Sequence, residues 1–486
     1  MMRKTNYSPI IFLFFFLFSL LFSIQGQTLS KKIDRKDLKQ YVSKLASPAL
    51  EGRRTGSEGK RLAAEYIAEQ FRRLGLETRL EEFSLTESYR GETYLETASG
   101  KRFKDYEEIM FQGTNYYNEE VEKEVVFGGY GRPEELESID LKGRIVLIFS
   151  VDHKTGVEAY SLLRKTEAEG LIVVPVDRPA RFDAERDRMK EYTLRHRFFM
   201  PNDPNAFVQP IALDTMRFLN SYVLRVAVVK ELMGMPENKL EQYIKTNKIT
   251  DVPVVPVKIK FERAQKEVTT ANVVGLLPGK SEETIVVSAH YDHLGKKEAH
   301  YYPGADDNAS GVAGMLELAE AFAGRKDLPY TLLFLAFAAE EEGLVGSKWH
   351  VNHPDFKAEN VFCNLNMDMI SRVDAEHETA ENYIYCLGSD RFPQLHDVLL
   401  KADSLYDDCF IDYSLNQTGG MFSLYSMTDS YNFVQKGVPA LFFTSGLHPD
   451  YHKTTDTADK INYRLLESRV RQIGLVLELL QQIQEN

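Results

Sequence analysis

The residues of this chain best suited to chemistry are histidines and carboxylates that stand just beyond short apolar runs. His290, Asp292 and His293 follow Ile285-Val286-Val287 in the segment ETIVVSAHYDH. A β-branched run of this kind reads as a strand covered on both faces. In open α/β sheets, ligands gather beyond the carboxyl ends of such strands. Residues two apart in an extended segment point the same way, so Asp292 is expected to hold the far ring nitrogen of His290, as carboxylates do behind zinc-binding imidazoles. Asp306 and Asp307 lie in GADDNASG, where Asn308 or Ser310 is expected to cap a helix. Its apolar residues Val312, Met315, Leu316, Ala319 and Phe322 recur at helical spacing, and Gly324 ends it. Glu340, Glu341 and Glu342 follow a second apolar run, 331–338; carboxylates so crowded repel one another unless cations balance them. Asp368 stands between two methionines at the end of a third run, and an aspartate in so apolar a setting needs a partner or a metal. His448 and His452 lie in HPDYHKTTDT. Taken singly, each group is as readily a solvated loop or a pair of helix-dipole carboxylates. It is their placement at successive strand ends that points to a metal centre.

The elements that must carry these residues fill a long chain. Its 486 residues allow two or three domains. A net charge of −13 argues against nucleic acid as a partner and leaves no basic face for a membrane surface. Residues 1–26 read as a signal peptide, with Arg3 and Lys4 ahead of an apolar stretch from Pro9 to Ile24 and cleavage near Gly26. The mature protein is therefore expected to be periplasmic or secreted. No later segment resembles a membrane span, so no stable membrane insertion is expected after cleavage. Cys363, Cys386 and Cys409 are too few for a disulfide framework and are expected to be buried. Residues 37–74 read as largely helical around a polar loop, 51–57, in which Arg53 and Arg54 are expected to make salt bridges. From 100 to 258 the metal-type motifs vanish. Strands are expected near 125–127, 144–148 and 170–174, a helix at 157–169, and an irregular loop at 178–205. Further strands are expected at 383–387 and 438–443, with a closing amphipathic helix at 465–483. Within 412–431, Tyr413, Met421, Phe422 and Tyr425 are candidates for an apolar side-chain pocket. Oligomeric state leaves no mark in the sequence.

The motifs AHYDH, PGADDNASG, AFAAEEEGLVGS, NMDM and HPDYHKTTDT occur in this order over most of 271–460. Together they resemble the co-catalytic dizinc aminopeptidase family, the group of bacterial leucyl aminopeptidases and of the aminopeptidase Y type. EGRRTGSEG resembles the start of the same peptidase domain. The resemblance implies a three-layer αβα sandwich with a mixed, mostly parallel central sheet. It also implies a smaller inserted β-rich α/β protease-associated domain, giving a peptidase domain at 27–99 and 259–486 interrupted by 100–258. It further implies two Zn2+ per chain, with His290 and Asp368 on one, Glu341 and His452 on the other, and Asp307 bridging. Glu340 would be the general base, since the family's Glu-Glu-x-Gly-Leu spacing leaves Glu342 a bystander. Asp292 would orient His290, and Tyr451 would hydrogen-bond the developing oxyanion. The expected function is that of a zinc-dependent exopeptidase removing N-terminal residues from peptide substrates. Two alternatives share the fold: glutaminyl-peptide cyclase, with a single zinc, and a receptor-like ectodomain without catalysis. The five filled ligand positions and Glu340 speak against both. No HExxH pair and no GxSxG elbow offers a different hydrolase.

Overall fold

The computed structural model describes residues 32–113, 115–176, 180–193, 196–200, 218–234, 254–297, 300–417 and 424–483, with 236, 239, 242 and 246. The leader at 1–26 and the pocket candidates Met421 and Phe422 lie outside the described residues. By its internal contacts the chain forms two compact units, one comprising residues up to Ser84 together with Val268 onward, the other Leu85–Glu267. The second unit takes in the whole of the 100–258 segment that lacks metal-type motifs.

The first unit is built on a mixed sheet. Its strands are β1 (Val254–Leu277, of which the last residues pair here), β2 (Ser281–His290), β3 (Tyr330–Phe337), β4 (Val361–Met367), β5 (Tyr383–Leu387), β6 (Phe410–Asp412) and β7 (Ala440–Thr444). Their order across the sheet is β6-β5-β7-β4-β2-β3-β1. Strands β2, β3, β4 and β7 run parallel, and β1 and β5 join them antiparallel. The apolar run that marks β2 in the sequence is fully buried: Ile285, Val286 and Val287 are each 0% exposed. A strand covered on both faces requires helices on both, and they are there. On one side α1 (Arg35–Leu45), α2 (Glu58–Arg73), α3 (Gly311–Phe322), α5 (Pro393–Leu405) and α7 (Tyr463–Leu480) pack among themselves; on the other, α4 (Val345–Asn352) packs with α6 (Asp429–Val434).

Local chemistry sets the helix ends. The Asp34 carboxylate accepts the Lys36 N–H before α1, and the Ser57 hydroxyl accepts the Lys60 N–H before α2. At α3, Asn308 provides the cap, its Oδ1 accepting the Gly311 N–H at 2.9 Å. Ser310 instead donates to Asp306 O and accepts from Ile370 N, tying the helix start to the chain beyond β4.

The second unit has its own core, in which Phe111, Phe127, Phe149, Tyr222 and Phe261 pack together. Strands Tyr117–Phe127, Arg144–Ser150, Gly170–Pro175 and Asn220–Leu224 run parallel, with helix His153–Leu163 between the second and third. One expectation is overturned here. The stretch read as an irregular loop from 178 onward contains an α-helix, Ala180–Thr193, and a short strand, Arg197–Phe199. The helix has no continuous apolar stripe, so periodicity could not reveal it. Its sequence ARFDAERDRMKEYT is nonetheless made largely of strong helix formers, and Asp183–Arg186 and Glu185–Arg188 pair one turn apart. The three cysteines are free and buried, and burial raises the thiol pKa of each.

Candidate metal centre

Four parallel strands deliver the site residues to one edge of the first unit. In register, His290 at the end of β2 lies beside Phe337 at the end of β3, and Met367 at the end of β4 lies beside Phe443 in β7. Three residues past Phe337 the chain reaches Glu340 and Glu341; one residue past Met367 it reaches Asp368; the loop after β7 carries His448 and His452. Asp307 arrives from the turn that opens α3.

Two donor sets form around Asp307. On one side, His290 Nε2 lies 3.2 Å from Asp368 Oδ1 and 3.4 Å from Asp307 Oδ1. On the other, His452 Nε2 lies 3.2 Å from Asp307 Oδ2 and 3.3 Å from Glu341 Oε2. A tetrahedral zinc with bonds of about 2.0–2.1 Å holds its ligand atoms about 3.3 Å apart. Both sets match that spacing, and each uses a different oxygen of Asp307, as a bridging carboxylate must. The donor chemistry, imidazole and carboxylate without thiolate, suits zinc and its divalent neighbours.

Electrostatics carry the same message. Burial pushes the His290 imidazole down, but Asp368, Glu340 and Asp307 outweigh it and hold its pKa well above the usual value. Burial also opposes His452, yet hydrogen bonds it donates to the carboxylates of Asp307 and Glu341 raise it to about 10. Glu341 is held below the usual carboxylate range by His293 and His452 in spite of its burial. Glu340 is driven well upward by burial and by Asp429, Glu341 and Asp368. The cluster is an excess of buried negative charge that protons or metal cations can balance.

The structure changes the role expected of Asp292. Its carboxylate does not hold His290: Asp292 Oδ1 is 4.0 Å from Nδ1, and the nearer acceptor, at 3.3 Å, is the Asp292 main-chain carbonyl. The carboxylate turns instead to the next strand, accepting the backbone N–H of Glu340 at 3.0 Å and of Glu341 at 3.3 Å. The physical reason is demand. The chain leaves β3 there with Ala339 at φ 57°, so the N–H groups that follow leave the ladder and need an acceptor. Arg53 also departs from expectation. It is 0% exposed and makes no salt bridge among the described residues; its guanidinium donates to the carbonyls of Leu45, Tyr291, Pro303 and Gly304, joining the loops that present His290 and Asp307. Tyr451 stacks on His452 with centroids 3.8 Å apart, and burial plus the nearby carboxylates Asp307 and Glu341 raise its pKa, keeping it a donor. Glu342 belongs to neither donor set. Of the pocket candidates, Tyr425 is buried and its hydroxyl donates to Ala440 O, while Tyr413 packs edge-on against His396 of α5; both serve packing.

Residues that the sequence reading did not assign complete the frame. His293 lies 2.8 Å from Glu341 Oε1 and 3.6 Å from Asp307 Oδ2. Asp306 accepts from the N–H and hydroxyl of Ser371 and lies 3.3 Å from His448. Asp456 accepts the backbone N–H groups of Asp306 and Asp307. A signal existed for His293, Asp306, His448 and Asp456, which lie within AHYDH, PGADDNASG and HPDYHKTTDT; Ser371 falls just past NMDM.

Residues 272–476 match the profile described as Peptidase family M28. The chain is 31% identical over 206 residues to the uncharacterized protein YfbL of Escherichia coli, covering 37% of this chain and 62% of that protein. It is 30% identical over 224 residues to leucine aminopeptidase 1 of Leptosphaeria maculans, covering 43% of this chain and 55% of that one. The chain thus spans less than two thirds of the curated relatives it matches. Among solved structures it is similar to BSAP, a zinc aminopeptidase from Bacillus subtilis, with a TM-score of 0.52 at 19% identity over 92% of this chain and 94% of that one. At that identity the likeness concerns the fold.

Proposed function

We propose that this chain, whose residues 272–476 are a segment of peptidase family M28, is a two-zinc aminopeptidase that removes N-terminal residues from peptides. The observation that carries the proposal is the pair of donor sets sharing Asp307, each with ligand-type spacing and Glu340 close by. His290, Asp307 and Asp368 would hold one zinc, and Asp307, Glu341 and His452 the other. Bound there, the pair supplies Lewis acidity toward the scissile carbonyl and a water acidified toward neutrality.

The chain's own residues do the rest. Glu340, raised by burial, is suited to take the proton of the attacking water at its carboxylate and return it to the leaving amine. Asp292 fixes the backbone of Glu340 and Glu341, so base and ligand keep their relative position. The Tyr451 hydroxyl, kept protonated, is a donor for the negative oxygen of the tetrahedral species. For Leu85–Glu267 the reading is a protease-associated module, supported by its parallel strands and connecting helix. Export is the reading for the leader, supported by its charge and apolar run.

The test is hydrolysis of a panel of aminoacyl chromogenic substrates by the full chain, with and without a chelator. Release from a free N-terminal residue, abolished by chelation and restored by zinc, is the expected result. Hydrolysis only of N-blocked or C-terminal substrates, or cyclisation of N-terminal glutamine without hydrolysis, would overturn it.

A further inference from the structure

We infer that His293 is a positioning residue for the second metal: it fixes which oxygen of Glu341 faces that metal without ligating it. The inference rests on the two-metal reading above.

His293 comes from the same strand end as His290, and its side chain is fully buried. Distances separate a hydrogen-bond donor from a ligand. His293 Nδ1 sits 2.8 Å from Glu341 Oε1, the length of an N–H···O⁻ bond and shorter than the about 3.3 Å between two ligands of one zinc. It contacts Oε1, while His452 faces Oε2. A carboxylate only accepts, so Nδ1 carries the proton and donates. The other ring nitrogen, Nε2, is buried and has no hydrogen-bond partner. Were Nδ1 to ligate, the proton would move to Nε2 and leave a buried N–H unpaired; as the donor to Glu341, the ring leaves only a lone pair unpaired.

The ring is also held in place. The main-chain N–H of His293 donates to Arg53 O at 3.3 Å, and the ring atoms Cγ and Cδ2 lie against Gly304, where an added Cβ would come within 2.6 Å of both. Gly304 has φ 55°, a conformation that favours glycine, and it begins the turn that presents Asp307. One imidazole therefore touches the turn bearing the shared aspartate and the carboxylate of the second metal's own ligand. With Oε1 occupied by His293, Glu341 offers the metal one oxygen rather than two.

The experiment is zinc titration of the metal-depleted full chain, read by calorimetry and by competition with a chromophoric chelator, for wild type, His293→Ala, His293→Asn and His452→Ala. The step lost in His452→Ala identifies the second metal. An asparagine amide N–H can stand in for Nδ1–H but is a poor zinc ligand. The expected result is that His293→Ala weakens the second step about 10- to 100-fold, as loss of a group orienting a metal ligand does, leaves the first step within about twofold, and is largely rescued by His293→Asn. Unchanged steps in His293→Ala would overturn the inference, as would His293→Asn losing the second step as fully as His452→Ala does, the mark of a ligand. A wild-type chain that takes up one zinc or none would refute the two-metal reading itself, an outcome distinct from either.

Discussion

Helix α3 has carboxylate clusters near both of its ends, and they behave differently. At its N-terminus Asp307 meets Asp368 and Glu341 with His290, His293 and His452 interleaved. Further along, Glu317 and Glu320 meet Asp37 of α1, and the groups that act on Glu317 are burial and more carboxylates, Glu320, Asp37 and Asp34. The second cluster does structural work toward α1: Glu317 accepts the Asp34 N–H that begins the helix, and Glu320 accepts the Tyr41 hydroxyl. Its charge is relieved by a proton: burial and its acidic neighbours raise Glu317 to about 8. The first cluster draws its members from four parallel strand ends and one helix turn, spaced as ligands. Crowded carboxylates alone do not make a metal centre. The proposed metal centre rests on imidazoles at ligand spacing, held by a frame with its own hydrogen bonds.

Substitutions can break this contrast. Asp307→Ala removes the one residue common to both donor sets, so both metals and several kcal/mol of transition-state stabilisation should go, with kcat/KM falling at least about 10⁴-fold; metal analysis and steady-state kinetics check it. Glu340→Gln should keep both metals and lower kcat about 10²- to 10⁴-fold, since only proton transfer is removed; a near-normal rate would reassign the base. Tyr451→Phe should keep the metals and cost about 10²-fold in kcat, with little change in KM.

At the other end of α3, Glu317→Gln should leave metal content and turnover unchanged and alter stability alone. Glu317 has a folded pKa of about 8 against 4.5 unfolded, so the folded chain binds the extra proton and its stability falls as pH rises between those values. The neutral glutamine lacks that loss. Its advantage should be near zero below pH 4.5 and reach on the order of 5 kcal/mol above pH 8, visible as a higher Tm at pH 8 and an equal one at pH 4.5.

Much of this arrangement was legible in the sequence, for a physical reason. β-branched runs such as Ile285–Val287 mark strands buried on both faces, and in a parallel sheet such strands present their next residues at one edge, so motifs scattered over 290–452 could be read as one place. What was not legible depended on where hydrogen bonds are needed after folding. Period-two alternation pointed Asp292 at His290, but the released N–H groups of Glu340 and Glu341 claimed its carboxylate. Arg53 reads as a loop cation until the carbonyls of Tyr291, Pro303 and Gly304 converge on it. Helix Ala180–Thr193 is stabilised by propensity and turn-spaced ion pairs rather than by an apolar stripe, which hides it from periodicity. The edges of the second unit fall inside the continuous strands Glu77–Thr97 and Val254–Leu277, where no turn residue marks a boundary.

Native mass spectrometry of the zinc-loaded full chain tests whether Asp307 joins two metals. Two zinc ions per chain are expected in wild type and none in Asp307→Ala. One ion in wild type, or a single ion retained with full affinity in Asp307→Ala, would contradict it.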